Sequence, residues 1–171
     1  MRNLEQCKYT YVHKKIMEYM VEKYCVDEYI KAEMLKRIKN HDMDKLTSYL
    51  FYPKPVAVKN HRANMSHHVN NDLNKDMFDY IEMIFDWESA RYSKADKPMN
   101  AYDALYAYYP KLEDKILPIL KGFNLAEPTN GFEEDILNYS LKLQKEVNED
   151  IIIQEVIEYI KRLKDFEGET F

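Results

Sequence analysis

The chain is short of glycine and cysteine and has no long apolar run, and each shortage removes a class of protein. Only three glycines occur in 171 residues, and Gly122, Gly131 and Gly168 each stand alone. Their scarcity argues against a sheet-rich fold built on tight turns. It also leaves no GxGxxG or P-loop string that could cradle a phosphate on backbone N–H groups. Two cysteines, Cys7 and Cys25, form no CxxC motif, and one pair is not a disulfide framework in a chain this long. Their neighbours Tyr11, Tyr24 and Val26 point to two buried free thiols. The longest aliphatic stretch, Ile151 to Ile153, is far too short to span a bilayer. The first residues, MRNLEQCKYT, lack the apolar centre of a signal peptide, so a cytoplasmic location without membrane contact is expected. A formal net charge of −5 gives no footprint for binding a nucleic-acid duplex.

What is present reads as a globular, all-α chain. Apolar residues make up 46% and charged residues 32%, enough to build a core and a solvated surface within one domain. From Asn3 to Tyr24 the residues Leu4, Cys7, Tyr11, Ile16, Met20 and Tyr24 form an imperfect helical stripe. Asp27 can cap a second helix running to about Lys39, followed by a polar break at Asn40 to Asp44. A short helix over Lys45 to Phe51 should stop before Pro53 and Pro55. Residues 53 to 72 read as irregular. A long helix is expected from Asp72 or Asn74 to about Tyr92, then a loop from Ser93 to Pro98. Helices follow over 101–108 and 111–121, the latter bent or interrupted at Pro118. A connector spans Gly122 to Gly131, and one or two amphipathic helices cover 132–166, with a break near Asn148 and Asp150.

All five histidines lie before residue 69, and their company carries the chemistry. His41 and Asp42 are adjacent in the polar break N-H-D-M-D-K, with Lys45 three residues on. His13 lies within the first helix, His61 and the pair His67-His68 in the irregular stretch, and Asp86 within the long helix. A metal that activates water needs neutral imidazoles and carboxylates converging from separate elements, with one position left open. His13, His41, Asp42 and Asp86 meet that demand, and the nitrogen–oxygen set suits Mn, Fe, Zn, Ni or Co. Asp42 could bridge to a second metal completed by His61, His67 and His68, giving one or two divalent ions per chain.

Each residue also has a plainer reading. Asp42 could be only an N-cap, His13 a hydrogen-bonded core histidine, and Asp79, Glu82 and Asp86 one acidic side of a helix facing solvent. If that side faces the histidines instead, Glu82 or Asp79 orients a ligand or acts as a base. The run Tyr102, Tyr106, Tyr108 and Tyr109 reads as packing, with a base-stacking pocket as the alternative.

The order H…HD…D in a helical chain resembles the HD-domain superfamily of metal-dependent phosphohydrolases. The extended order H…HDxxK…H…HH…D is similar to its binuclear branch, which includes the HD-GYP phosphodiesterases. No Gly-Tyr-Pro motif is present, so a cyclic dinucleotide substrate is not implied. The segments H-R-A-N-M-S-H-H and Y-I-E-M-I-F-D-W-E-S-A-R-Y also resemble uncharacterised bacterial and phage proteins with HD-like histidines. The resemblance covers roughly residues 10 to 95. It implies an HD-like helical bundle with metal ligands at His13, His41, Asp42 and Asp86, and second-metal ligands at His61, His67 and His68. It also implies that Lys45 contacts a substrate phosphate.

Asp42, Lys45 and Glu82 are thus the candidate catalytic groups, and Lys45, Arg62, Arg91 and Lys94 the candidate phosphate contacts. The expected domain is a single one over 1–171, with its metal-binding part in about 1–95 and a C-terminal helical layer in about 100–171. That layer either closes the domain's own core or forms a homodimer surface. The expected activity is hydrolysis of a nucleotide or another small phosphate ester. The alternatives are a di-iron oxygenase of the same superfamily and a non-enzymatic helical interaction protein.

Overall fold

The computed structural model describes residues 1–69, 73–94 and 96–169, and among these the chain is all α-helical with no strand. Helix α1 spans Leu4–Tyr24 and buries Cys7, Val12, Ile16, Met17, Met20 and Val21 along the expected stripe. Helix α2, Glu28–Lys39, begins where Asp27 accepts a hydrogen bond from the Ile30 amide at 2.9 Å. Helix α3, Met43–Tyr49, starts two residues earlier than the sequence pattern indicates.

The stretch after Pro53 is not irregular throughout. Lys54–Asn64 forms helix α4, with Pro53 at its N-cap and Pro55 inside its first turn. Proline is tolerated there because the first helical amides have no intrahelical acceptor to lose. The two prolines therefore start a helix as well as ending one. Helix α5, Met77–Ser93, opens on a reciprocal capping box between Asp76 and Asp79. Asp72, one of the two expected starts, lies outside the described residues.

Helix α6, Ala101–Tyr108, is capped by Asn100, whose side chain accepts from the Asp103 amide. A 3-10 turn at Pro110–Leu112 leads into helix α7, Glu113–Gly122, which continues through Pro118 without interruption. Helices α8, Glu134–Glu146, and α9, Glu149–Glu169, divide at Asn148, whose side chain accepts from the Ile151 amide at 3.0 Å.

Helix α1 is the hub, packing against α2, α3, α5, α8 and α9. One apolar cluster joins Ile16 and Met20 of α1 and Met34 and Ile38 of α2 to Phe85 of α5, Ile136 of α8 and Ile152 of α9. On the other side of α5, Met83 and Ile84 pack with Leu105 of α6 and Ile116 and Leu120 of α7. Each such buried aliphatic side chain contributes about 1.5–3 kcal/mol, so α5 is held from two sides. The C-terminal helices thus close the core through one face. Ile153, Ile157, Ile160 and Leu163 on the other face remain 40–45% exposed. Among the described residues, no helix is long and apolar enough to cross a membrane.

Candidate metal centre

The five histidines of the chain converge on Asp42 and Asp86. His13 comes from the middle of α1 and Asp86 from the middle of α5, two helices in direct contact. His41 and Asp42 occupy the α2–α3 junction, His61 the last turn of α4, and His67 and His68 the turn that follows it. Neighbouring imidazoles sit close: ring centroids are 5.5 Å apart for His13 and His41, 4.4 Å for His41 and His67, and 4.7 Å for His61 and His68.

Asp42 sits at the N-cap position of α3, but its side chain makes no capping hydrogen bond. Its backbone is left-handed, at φ 57°, a region that Asp enters more readily than most residues. That turn sends the carboxylate inward. Asp42 Oδ1 lies 2.8 Å from His61 Nε2, and 3.4 Å from both His41 Nε2 and His67 Nε2. None of these approaches has the alignment of a hydrogen bond. His41, His61, His67 and His68 Nε2 and Asp42 Oδ1 are all buried without a hydrogen-bond partner. A buried polar atom without a partner costs about 1–3 kcal/mol. Five clustered ones are anomalous for a folded core. Lone-pair atoms drawn together in this way are what a cation's coordination shell requires.

Two sets of potential ligand atoms share Asp42. Asp42 with His61, His67 and His68 forms one, and His13, His41 and Asp42 another, each with its atoms within 4.8 Å of one another. Asp86 joins His41 and His67 in a third, overlapping set. Asp86 Oδ1 is also 2.7 Å from His13 Nε2 and 3.8 Å from His41 Nε2. The residues present therefore fit a divalent cation, with Asp42 common to two positions.

Behind these atoms a second ring of polar groups holds the imidazoles by their Nδ1 atoms. Asp44 contacts His61 Nδ1 with both oxygens at 2.9 Å, and Ser89 Oγ lies 3.2 Å from His13 Nδ1. Glu82 Oε1 lies 3.1 Å from His41 Nδ1 and 3.6 Å from His67 Nδ1, while Arg37 donates to Oε2 at 3.1 Å. Arg37 also donates to Asp79, which accepts from Ser66 as well. Both Glu82 oxygens are thus engaged, one by the two imidazoles and the other by Arg37. Nδ1 contacts of this kind leave the Nε2 atoms of His13, His41, His61 and His67 facing the centre.

The electrostatics follow from this crowding of acids and imidazoles. Burial works against the charged form of His41, but Asp42, Glu82 and Asp86 outweigh it and push the imidazole up to about 9. Burial likewise opposes ionised Asp42, yet His41, Lys45, His61 and His67 hold it well below the usual carboxylate range. His68 is pushed down to about 3, first by burial and then by His67 and His61. The buried carboxylates thus call for positive charge in their midst.

Of the expected phosphate contacts, Lys45 donates to Asp42 Oδ2 at 2.9 Å and lines a cavity beside the cluster, as do Arg62 and Lys94. Arg91 does not reach it. Its guanidinium donates to the Gly131 carbonyl and to Glu88 and lies over the Tyr92 and Phe132 rings. One residue past Ala90, it is turned a further 100° around α5. Asp44, Ser89 and Arg37 were not singled out from the sequence. Asp44 and Ser89 follow Asp42 and Asp86 by two and three residues, a proximity that signals nothing until the backbone turns are known.

Compared with protein-family models, curated proteins and solved structures, the chain matches none.

Proposed function

We propose that the chain is a metal-dependent phosphohydrolase of the HD type that cleaves a small phosphate ester. The observation that carries this reading is the set of five buried, unpartnered ligand atoms gathered at Asp42. Together with His13 and Asp86, their order along the chain, H…HD…H…HH…D, resembles the binuclear HD pattern. His13, His41, Asp42 and Asp86 would hold one divalent transition metal, and Asp42, His61, His67 and His68 a second. The nitrogen and oxygen donors suit Mn, Fe, Co, Ni or Zn. When bound, such an ion supplies Lewis acidity and lowers the pKa of a water toward neutrality.

The chain's own groups perform the remaining tasks. Lys45 steadies Asp42 from one side and reaches the adjoining cavity, where its fixed charge neutralises phosphate oxygens. Asp44, Glu82 and Ser89 keep the imidazoles facing inward. Arg62 and Lys94 add charge at the cavity wall.

The test is hydrolysis of a generic phosphate ester by metal-loaded protein, beside an Asp42→Ala variant. The variant is expected to lose at least a hundredfold in turnover while its helical circular dichroism is unchanged. Turnover equal to that of the parent protein would contradict the reading. Oxygen consumption by an iron-loaded protein that leaves phosphate esters intact would transfer the site to oxygenase chemistry.

A further inference from the structure

Helix α9 has two unlike faces. Ile152 and Val156 enter the main apolar cluster, and polar ties fix the helix to the body of the fold. Glu155 accepts from Lys14 of α1 at 2.6 Å, and Arg162 donates to Asn40 Oδ1 at 2.9 Å and to the Lys39 carbonyl at 3.1 Å. The outer face carries Ile153, Ile157 and Ile160, each 40–41% exposed. At offsets of four and seven residues these side chains fall on one side of a helix. Single exposed apolar residues are ordinary. Three in line on a helix already held in place form a continuous, preorganised strip.

The two ends of the strip carry opposite charges. Asp150 before it and Lys164 after it are both exposed and continue the same face, in the order Asp–Ile–Ile–Ile–Lys. Each stands seven residues from Ile157, about 10.5 Å along the helix axis. That order decides what can cover the strip. A second copy laid parallel would set Asp150 against the partner's Asp150 and Lys164 against the partner's Lys164. Laid antiparallel, with a twofold axis at Ile157, each Asp150 meets the partner's Lys164, and the isoleucines close between the two pairs. Each helix N-terminus then also lies near the C-terminal end of the other, where the helix dipoles attract. The strip is complementary to itself in this direction alone.

Independently of the phosphohydrolase reading, we propose that α9 is the contact helix of a homodimer, two copies packing antiparallel about Ile157 with Asp150 of each paired to the partner's Lys164. The inner face of α9 closes the core of its own chain, and the outer face closes the dimer. A contact about 21 Å long lies at the small end of specific interfaces, which bury roughly 1,200–2,000 Å2 in total. Dissociation is therefore expected in the micromolar range. The cavity beside the candidate metal centre takes no lining residue from α8 or α9. A substitution on the outer face of α9 therefore leaves the cavity wall and the candidate ligands unchanged.

Sedimentation of the full chain over roughly 1–200 µM tests this. A monomer–dimer equilibrium is expected. Ile157→Lys should be monomeric throughout, with the helical circular dichroism and metal content of the parent. Asp150→Lys and Lys164→Asp should each weaken the dimer at least fivefold, because like charges then face one another at both ends of the strip. Combining the two substitutions in one chain restores both pairs in exchanged positions and should recover the dimer. A parent that stays monomeric at the highest concentration would overturn the proposal, as would a dimer that survives Ile157→Lys. A combined variant no tighter than the single ones would overturn the antiparallel register. Metal content measured on the same samples keeps the two readings apart. A metal-free protein that dimerises through Ile157 keeps this contact and removes the hydrolase, whereas a metal-loaded, phosphatase-active monomer does the reverse.

Discussion

At the scale of single residues, the centre depends on groups that never face it. Glu82 Oε1 approaches the Nδ1 atoms of both His41 and His67, which share one candidate ligand set with Asp86 and each also belong to one of the two sets that share Asp42. One carboxylate oxygen therefore holds two candidate ligands. Replacing such a partner typically costs 10–100-fold in metal affinity. Glu82→Gln should accordingly weaken metal binding about tenfold or more at both positions, read by competition against a chromophoric chelator. A variant that binds two ions as tightly as the parent would show that Glu82 is only a partner for Arg37. Cys7 and Cys25 provide a second test at this scale. Burial pushes each thiol up to about 11. A raised pKa means less thiolate at every pH below it, here roughly a hundredfold less than for an exposed cysteine near pH 8. Both thiols should react slowly with a disulfide reagent at pH 8 in the folded protein and fast in denaturant. Rapid reaction of either in the folded state would contradict the packing of α1. The candidate ligand residues, which the fold brings together, could be picked out in the sequence because their types and order are chemical signals. Asp44, Ser89 and Arg37 were not, because an acid, a serine or an arginine on a helix is ordinary until its neighbours in space are known.

At the scale of elements, α9 is tied to the centre of the fold by a buried charge. Lys14 on α1 is 2% exposed, and its ammonium donates to Glu155 on α9 at 2.6 Å and to the last carbonyl of α2, Lys39 O, at 3.1 Å. Breaking such a pair from one side leaves a buried charge uncompensated, at a cost of about 3–5 kcal/mol. Glu155→Ala should therefore destabilise the chain by about that much in urea unfolding, whereas Lys14→Met leaves Glu155 14% exposed with Lys15 3.7 Å away and should cost less. Equal costs for the two would mean that Glu155 contributes packing and not charge. Helices α1, α2 and α5 were legible from their apolar spacing, and α2 also from its cap at Asp27, whereas the Asp76–Asp79 capping box that starts α5 lies beyond the expected starts at Asp72 or Asn74. Helix α4 was not, because Pro53 and Pro55 stop a helix in one direction and begin one in the other. That element delivers His61, so its absence from the sequence reading left the second ligand set without a scaffold.

At the scale of the molecule, the sequence division into a histidine-bearing first half and a histidine-free second half corresponds to a division of labour. Helices α1 to α5 and the turn after α4 supply every candidate ligand. Helices α6 and α7 support the outer side of α5, and α6 with Tyr109 completes the cavity wall. Helices α8 and α9 close the core over α1. The all-α class was readable because helical periodicity is a local property. How the second half closes over the first was not, because periodicity shows which residues of α8 and α9 are apolar and not what covers them. Net charge was equally uninformative about the site, since a −5 total conceals a cavity ringed by lysine and arginine. Asp42, Asp86 and the five histidines are proposed to form a metal centre, and metal content tests this most directly. Untagged protein purified without chelator should carry one or two equivalents of Mn, Fe, Co, Ni or Zn by mass spectrometry, lost in both His41→Ala and Asp42→Ala. No bound metal, and none taken up at micromolar supply, would contradict the account.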